Sequence, residues 1–325
     1  MKDVELKMLE RAKELLASGE VARVIGWKKG EFFFDPSPAS FETVEELDGF
    51  VYNYFCGANL SKYLIEMSKK PGKTAVFLKP CDTYSFNQLV KEHRVVRENV
   101  YVIAIECMAK LDIEKIKAKG LSMIESVEVE NKDVKVTTAY GTEVLCKPEV
   151  VLTKCATCTK THQAKDEEII LHEVPARDVD RFDEVKKLEA MTEDERFAFW
   201  RAQLSKCIRC NACRNVCPAC SCVKCVFDNP ASGIAAKAND DQFEEQLFHI
   251  IRAFHVAGRC TDCGECSRVC PQNIPLHLLN RKFIKDIDGL YGEFQAGEST
   301  EGKTPLTSYT EGDIEPKDVF NGEAK

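Results

Sequence analysis

Two cysteine runs constrain this chain more than anything else in it. Cys207, Cys210, Cys213 and Cys217 are followed by Pro218, and Cys260, Cys263, Cys266 and Cys270 repeat the same spacing, followed by Pro271. C-x2-C-x2-C-x3-C-P is the bacterial ferredoxin pattern for 4Fe–4S clusters, and in two-cluster ferredoxins the fourth cysteine of each run ligates the other cluster. The spacing therefore predicts one cluster on Cys207, Cys210, Cys213 and Cys270, and a second on Cys260, Cys263, Cys266 and Cys217. A single run would also suit zinc, which accepts four cysteines. Two complete runs, each closed by proline, favour the clusters, and a chain that carries them moves electrons singly. Gly264 suits a tight loop whose backbone N–H groups approach sulfide and help set the potential.

The rest of the composition excludes more than it selects. A length of 325 residues suggests two domains or three, and 44% hydrophobic residues is ordinary for a globular chain. A net charge of −8, with no basic block, gives no support to nucleic-acid binding. The charged, amphipathic start MKDVELKMLERAKELL is not a secretory signal, and no apolar run approaches the ~18 residues of a membrane span. Seventeen cysteines grouped at short spacings without an export signal read as reduced metal ligands in a cytoplasm rather than as disulfides.

Hydrophobic periodicity predicts an α/β N-terminal domain with a mainly parallel sheet over 1–200, a helical two-cluster ferredoxin-like domain over 201–290 and an irregular acidic tail over 291–325. A helix is expected over 3–18, with Leu6, Leu9, Leu15 and Leu16 inward. Two short strands are expected around Gly26 and Gly30, a turn at 35–38 and a helix over 59–70. The apolar runs 74–78 and 100–105, with a helix between them, read as a βαβ unit with buried parallel strands. A hairpin turning at 131–133 and a charged helical link over 177–204 follow. Between the cysteine runs, Phe243, Leu247, Ile250, Ile251 and Phe254 mark one helix face, after a capping start at Asn239. His249 and His255 on this helix read as surface or packing residues.

Cys81 and Cys107 each fall just past the C-terminal end of a predicted parallel strand, where open α/β sheets place their ligands. Cys155 and Cys158 follow the strand-like run 150–152. These four thiols match the number a 4Fe–4S cube needs, so a third cluster on Cys81, Cys107, Cys155 and Cys158 is expected; the alternative is that Cys81 and Cys107 are buried small hydrophobes. Five cysteines remain, and three of them, Cys220, Cys222 and Cys225, crowd behind Cys217. They read either as ligands of a further metal site or as buried thiols shielding a cluster, with the second preferred because no fourth ligand is visible.

Several segments resemble a known family. The stretches 59–64 (NLSKYL), 76–82 (VFLKPCD), 97–103 (RENVYVI), Glu106-Cys107 and 154–158 (KCATC) are similar to the beta subunit of deazaflavin-dependent hydrogenases and dehydrogenases, formate dehydrogenase beta subunits among them. The resemblance covers roughly 20–175. It implies a 4Fe–4S cluster on the matching cysteines, an FAD beside it on the α/β domain, and cofactor contacts at Asn59, Lys79 and Asp82. No G-x-G-x-x-G fingerprint accompanies it. The C-terminal part, with Cys-Pro-Ala-Cys-Ser-Cys and Asn273-Ile274-Pro275-Leu276, resembles the dicluster domain fused to such subunits beside hydrogenase, anaerobic sulfite reductase and heterodisulfide-reductase-like complexes. The function this implies is an electron-transfer subunit of an anaerobic oxidoreductase complex, with its other subunits, and ferredoxin, as partners. The alternatives are a stand-alone flavoenzyme reducing a deazaflavin or ferredoxin, and a cluster-bearing scaffold without catalysis.

Overall fold

The computed structural model describes residues 1–105, 107–159, 168–170, 179–232 and 242–307. Helix α1 (Lys2–Ala17) buries Val4, Met8, Ala12 and Leu15. Leu6, expected inward, is exposed; it lies two residues from Val4 and from Met8, on the other side of the helix. Strand β1 (Arg23–Lys28) runs into an irregular loop at Gly30 instead of a second strand. Strand β2 (Ser37–Phe41) forms where the prolines predicted a turn. It pairs antiparallel with β1, Pro38 opposite Trp27, at the sheet edge, where a missing N–H removes no ladder bond.

Strand β3 (Thr74–Leu78), helix α3 (Pro80–Lys91) and strand β4 (Val100–Ile105) form a βαβ unit. Strand β3 pairs parallel with both β1 and β4, and β8 (Glu168–Ile170) pairs parallel with β4. The sheet order is β2-β1-β3-β4-β8, parallel but for one edge. Every residue of β3 is buried, as a strand covered on both faces requires. The helix expected over 59–70 shortens to a 3-10 turn and α2 (Leu64–Met67), because Asn59 Oδ1 accepts from the Ser61 N–H and Ser61 Oγ donates to the Asp82 carbonyl.

A three-stranded antiparallel meander, β5 (Ile124–Glu130), β6 (Asp133–Thr138) and β7 (Gly141–Cys146), contains the expected hairpin and a third strand. Short helices α4 (Ile113–Lys117), α5 (Lys147–Val150) and α6 (Thr153–Ala156) flank it. Residues 150–152 are not a strand of the parallel sheet: Val150 ends α5, and Val151 makes only an isolated bridge to Leu111. Cys155 therefore sits on a helical turn.

The C-terminal region is helical. The link divides into α7 (Asp183–Glu189) and α8 (Glu193–Leu204), because Thr192 and Glu195 form a capping box that starts a new helix. Then come α9 (Ala212–Val216), α10 (Gln242–Val256), α11 (Glu265–Arg268) and α12 (Leu276–Tyr291). Helix α10 is turned opposite to its apolar face: Glu245, Phe248, His249, Arg252, Ala253 and Val256 are buried, whereas Phe243, Ile250 and Phe254 are exposed. Asn239 lies outside the described residues. The reason for the rotation is the cysteine-lined interior that this helix covers, described next. Residues 292–307 lie back on the protein. Ala296 is buried, and a Cβ on Gly297 (φ +76) would stand 1.8 Å from the Tyr84 carbonyl oxygen.

Candidate metal centres

One cavity is lined by Cys207, Cys210, Cys213 and Cys270, and another by Cys217, Cys260, Cys263 and Cys266. Each gathers three thiols of one run and the fourth of the other. The two loops are built alike. Arg209 and Asp262 occupy corresponding positions with φ of 52° and 57°, and so do Asn211 and Gly264 with φ of 60° and 66°. These left-handed residues curl each loop around its cavity. At Gly264 a side chain is also excluded by packing, because its Cβ would lie 2.4 Å from that of Lys154.

Each donor set is made of four soft thiols. Four sulfurs around zinc stand roughly 3.8 Å apart, from a Zn–S bond of about 2.3 Å. Among the described residues no three thiols approach within 4.8 Å of one another; the group that does is Cys207, Glu245 and His249. Thiolates at wider separation suit an iron–sulfur cube.

Helix α10 supplies the polar wall of these cavities. The Arg252 guanidinium, 2% exposed, acts on Cys266, Cys217, Cys213 and Cys220, and its Nε and Nη1 have no hydrogen-bond partner among the described residues. His249 Nε2 lies 3.2 Å from Cys207 Sγ. Burial, with the charges of Arg252 and Arg209, pushes His249 down to about 3, so the ring is neutral. Burial likewise pushes the Cys207 thiol up to about 12 and Cys266 up to about 11. Loading a metal therefore has to displace protons from these sulfurs. Periodicity alone hid this wall, because a helix facing thiolates presents cations where one facing hydrocarbon presents Leu or Phe.

The third thiol set lies at the end of the parallel sheet. Cys81 is in the first turn of α3 and Cys107 lies just beyond β4. Cys155 is on α6, with Cys158 just after it. Cys158 acts electrostatically on Cys81, and both Cys107 and Cys158 act on Cys155, whose thiol burial raises to about 11. Two buried lysines attend them. Lys110 Nζ donates to the Asn53 carbonyl at 2.8 Å and lies 3.8 Å from the Tyr52 ring centre, and burial lowers its pKa. Lys154 Nζ donates to the Gly57 carbonyl at 2.7 Å. Neither role was legible in the sequence.

Lys154 also joins the third set to the second. Its ammonium pairs with Glu265, which lies between Cys263 and Cys266 and is fully buried. Arg268 holds the same carboxylate with two bonds of 2.8 Å, and the Asn59 backbone N–H donates to it at 3.2 Å. Burial would raise this carboxyl, but the charges of Lys154 and Arg268 overcome that and hold it well below the usual carboxylate range. A carboxylate inside the ligand loop was the one visible sign of this node, and nothing local marks its partners.

Asn59, Lys79 and Asp82 are the residues that the resemblance puts beside a flavin. Lys79 Nζ donates to Asp82 at 2.8 Å and to the Ala58 carbonyl at 2.7 Å, and it lies 4.4 Å from the Trp27 ring centre. Asn59 Nδ2 donates to Ser85 Oγ at 3.0 Å and its Oδ1 accepts from Ser61 N at 2.9 Å. All three residues are buried, and their polar atoms are used inside the wall beneath Cys81. In this structure their side-chain polar atoms bond to protein groups. Cys220, Cys222 and Cys225 do not form a buried shield: Cys222 is exposed and the other two are half-buried.

Residues 203–274 match the family model described as 4Fe-4S dicluster domain. Over 86% of its length the chain is 25% identical to 88% of a Methanocaldococcus jannaschii protein named F420-dependent formate dehydrogenase subunit beta. It is 26% identical to a Methanococcus maripaludis protein named F420-dependent formate dehydrogenase 1 subunit beta, over 66% of this chain and 72% of that one. A 73-residue segment is 36% identical to 70% of a putative ferredoxin-3 from Sinorhizobium fredii.

Proposed function

We propose that this chain, a homologue of F420-dependent formate dehydrogenase beta subunits that carries a ferredoxin-type 4Fe-4S dicluster domain, relays single electrons through a multi-subunit oxidoreductase. The observation that carries the proposal is the gathering of the two cysteine runs into two four-thiol cavities, with Lys154, next to Cys155 in sequence, paired to Glu265 between two of their ligands. Cys81, Cys107, Cys155 and Cys158 hold the cluster of an α/β unit spanning 1–200. Cys260, Cys263, Cys266 and Cys217 hold the next cluster, and Cys207, Cys210, Cys213 and Cys270 the last, in a unit spanning 201–290; the acidic residues 291–325 form its tail.

The protein's part is to fix the spacing of the clusters, bury them and set their potentials. Lys110 and Lys154 place positive charge beside the first cluster, and Arg252 places it between the other two. F420, named for the relatives, is the two-electron partner we assign to the complex, with formate as the substrate of another subunit. An FAD in the α/β unit would supply the change from two-electron to one-electron transfer. Hydrogenase and heterodisulfide-reductase-like partners would use the same wiring, and we place the complex in the cytoplasm, where thiolates stay reduced. No helix among the described residues is long and apolar enough to cross a membrane.

Iron, sulfide and flavin counts on the anaerobically purified chain test the scheme. Cys263→Ala should remove about four irons and one reduced-state EPR signal, and Cys81→Ala with Cys155→Ala another four. An iron content unchanged by the second pair of substitutions would remove the third cluster from the scheme. One FAD released per chain on denaturation would support the flavin.

A further inference from the structure

The segment behind Cys217 places three thiols within six residues, Cys220-Ser221-Cys222-Val223-Lys224-Cys225. All three line one solvent-open cavity of about 390 Å³, together with Lys62, Arg214 and Arg252. Positive side chains stand near the thiols, Lys62 and Arg252 beside Cys220, Lys62 and Arg259 beside Cys222, and Arg214 beside Cys225, although the bond to Cys217 and burial raise the Cys220 thiol. The loop is held in place from outside. Lys62 Nζ donates to the carbonyls of Cys217, at 3.0 Å, and of Cys220, and Arg94 donates to that of Ser221. Electropositive, partly exposed surroundings are what distinguish reactive and metal-binding cysteines from inert structural ones. The wall also contributes the buried guanidinium of Arg252.

We propose that Cys220, Cys222 and Cys225 hold a further iron–sulfur cluster, bound by three thiolates and facing solvent. The three sulfurs are not all within 4.8 Å of one another, wider than the roughly 3.8 Å spacing around one zinc. Soft thiolates spread around a cavity select a cluster. Asp228, which lines the same cavity and pairs with Arg214 at 2.9 Å, is the available oxygen ligand for the corner without a cysteine. In the metal-free chain the Cys220 thiol hydrogen-bonds to Cys217, a proton that cluster binding would have to displace. The new centre would then abut the cluster assigned to Cys217 and would offer electrons a way from there to the surface at Cys222. Only this last step rests on the proposed wiring.

The test compares the full chain, loaded anaerobically with iron and sulfide, with its C222A/C225A variant; C146A, which changes an exposed cysteine remote in sequence, is the control. The double variant should lose three to four irons, with matching sulfide, while C146A loses none and the EPR signals of the other clusters persist. Equal iron in wild type and double variant overturns the proposal, and so does one zinc per chain lost in its place. Alkylation by iodoacetamide, read residue by residue by mass spectrometry, needs no variant. Cys222 should be protected in the loaded protein and react after chelation; labelling of loaded Cys222 as fast as Cys146 overturns the site. The iron remaining in the double variant measures the other three sets separately, so failure of the new site and failure of the wiring are distinguishable.

Discussion

Replacing Glu265 with glutamine attacks the node where the two halves of the molecule meet. The carboxylate is fully buried and receives bonds from Lys154, Arg268 and the Asn59 N–H. Lys154 is 6% exposed, so after the substitution its ammonium loses its carboxylate and keeps the Gly57 carbonyl and the more distant charge of Cys81 and Cys155. Removing one partner of a buried pair costs about 3–5 kcal/mol, most of it the uncompensated charge left behind. Glutamine keeps one acceptor oxygen but turns an N–H₂ toward donors, so the expected loss is about 4 kcal/mol. Denaturant unfolding of the loaded chain under anaerobic conditions, followed by cluster absorbance, measures it. Lys154→Met in the same chain removes the stranded charge, so the double variant should recover at least about 2 kcal/mol over the sum of the single losses. A Glu265→Gln protein within about 1 kcal/mol of wild type, or strict additivity in the double variant, would refute the reasoning.

Arg252→Met should shift both dicluster midpoint potentials downward in an EPR-monitored redox titration, because a buried positive charge favours the more negative, reduced state; unchanged potentials would remove Arg252 from that role. Burial, with Arg281 nearby, holds His277 down to about 4 from 6.5, and its Nδ1 lies 2.8 Å from Ser267 Oγ. The unfolded chain therefore binds a proton between those values that the folded chain does not. This contribution is complete above pH 6.5 and is lost as the pH falls, by about 2 kcal/mol between 6.5 and 5, and His277→Gln should flatten that slope in denaturant midpoints. Gly297→Ala, at φ +76 against the Tyr84 carbonyl, should detach residues 292–307 and expose them to limited proteolysis without loss of iron.

Short-range spacing was legible wherever one segment carries its own rule. The βαβ unit at 74–105 and the hairpin at 124–138 follow from runs bounded by turn residues. Edge strand β2 was hidden because its prolines argue for a turn until a neighbour supplies the ladder, and β7 because its residues are mostly exposed and lack a clear apolar alternation. The helical link over 177–204 conceals its break at Thr192, since a capping residue inside a charged stretch looks like surface.

The sequence by itself showed two cysteine runs at one spacing, the spacing that cluster ligation imposes along a loop. It also determined that Cys81 and Cys107 stand at the mouth of a parallel sheet, because buried strands are continuous apolar runs. Only the tertiary structure decided what surrounds those sulfurs. Helix α10 turns Glu245, His249 and Arg252 inward against its own apolar stripe, and Lys154 reaches across 111 positions of sequence to Glu265. The physical reason is that hydrophobic periodicity records which side of an element avoids water. The charges that compensate buried thiolates and a buried carboxylate come from remote segments, and they are fixed only when those segments pack.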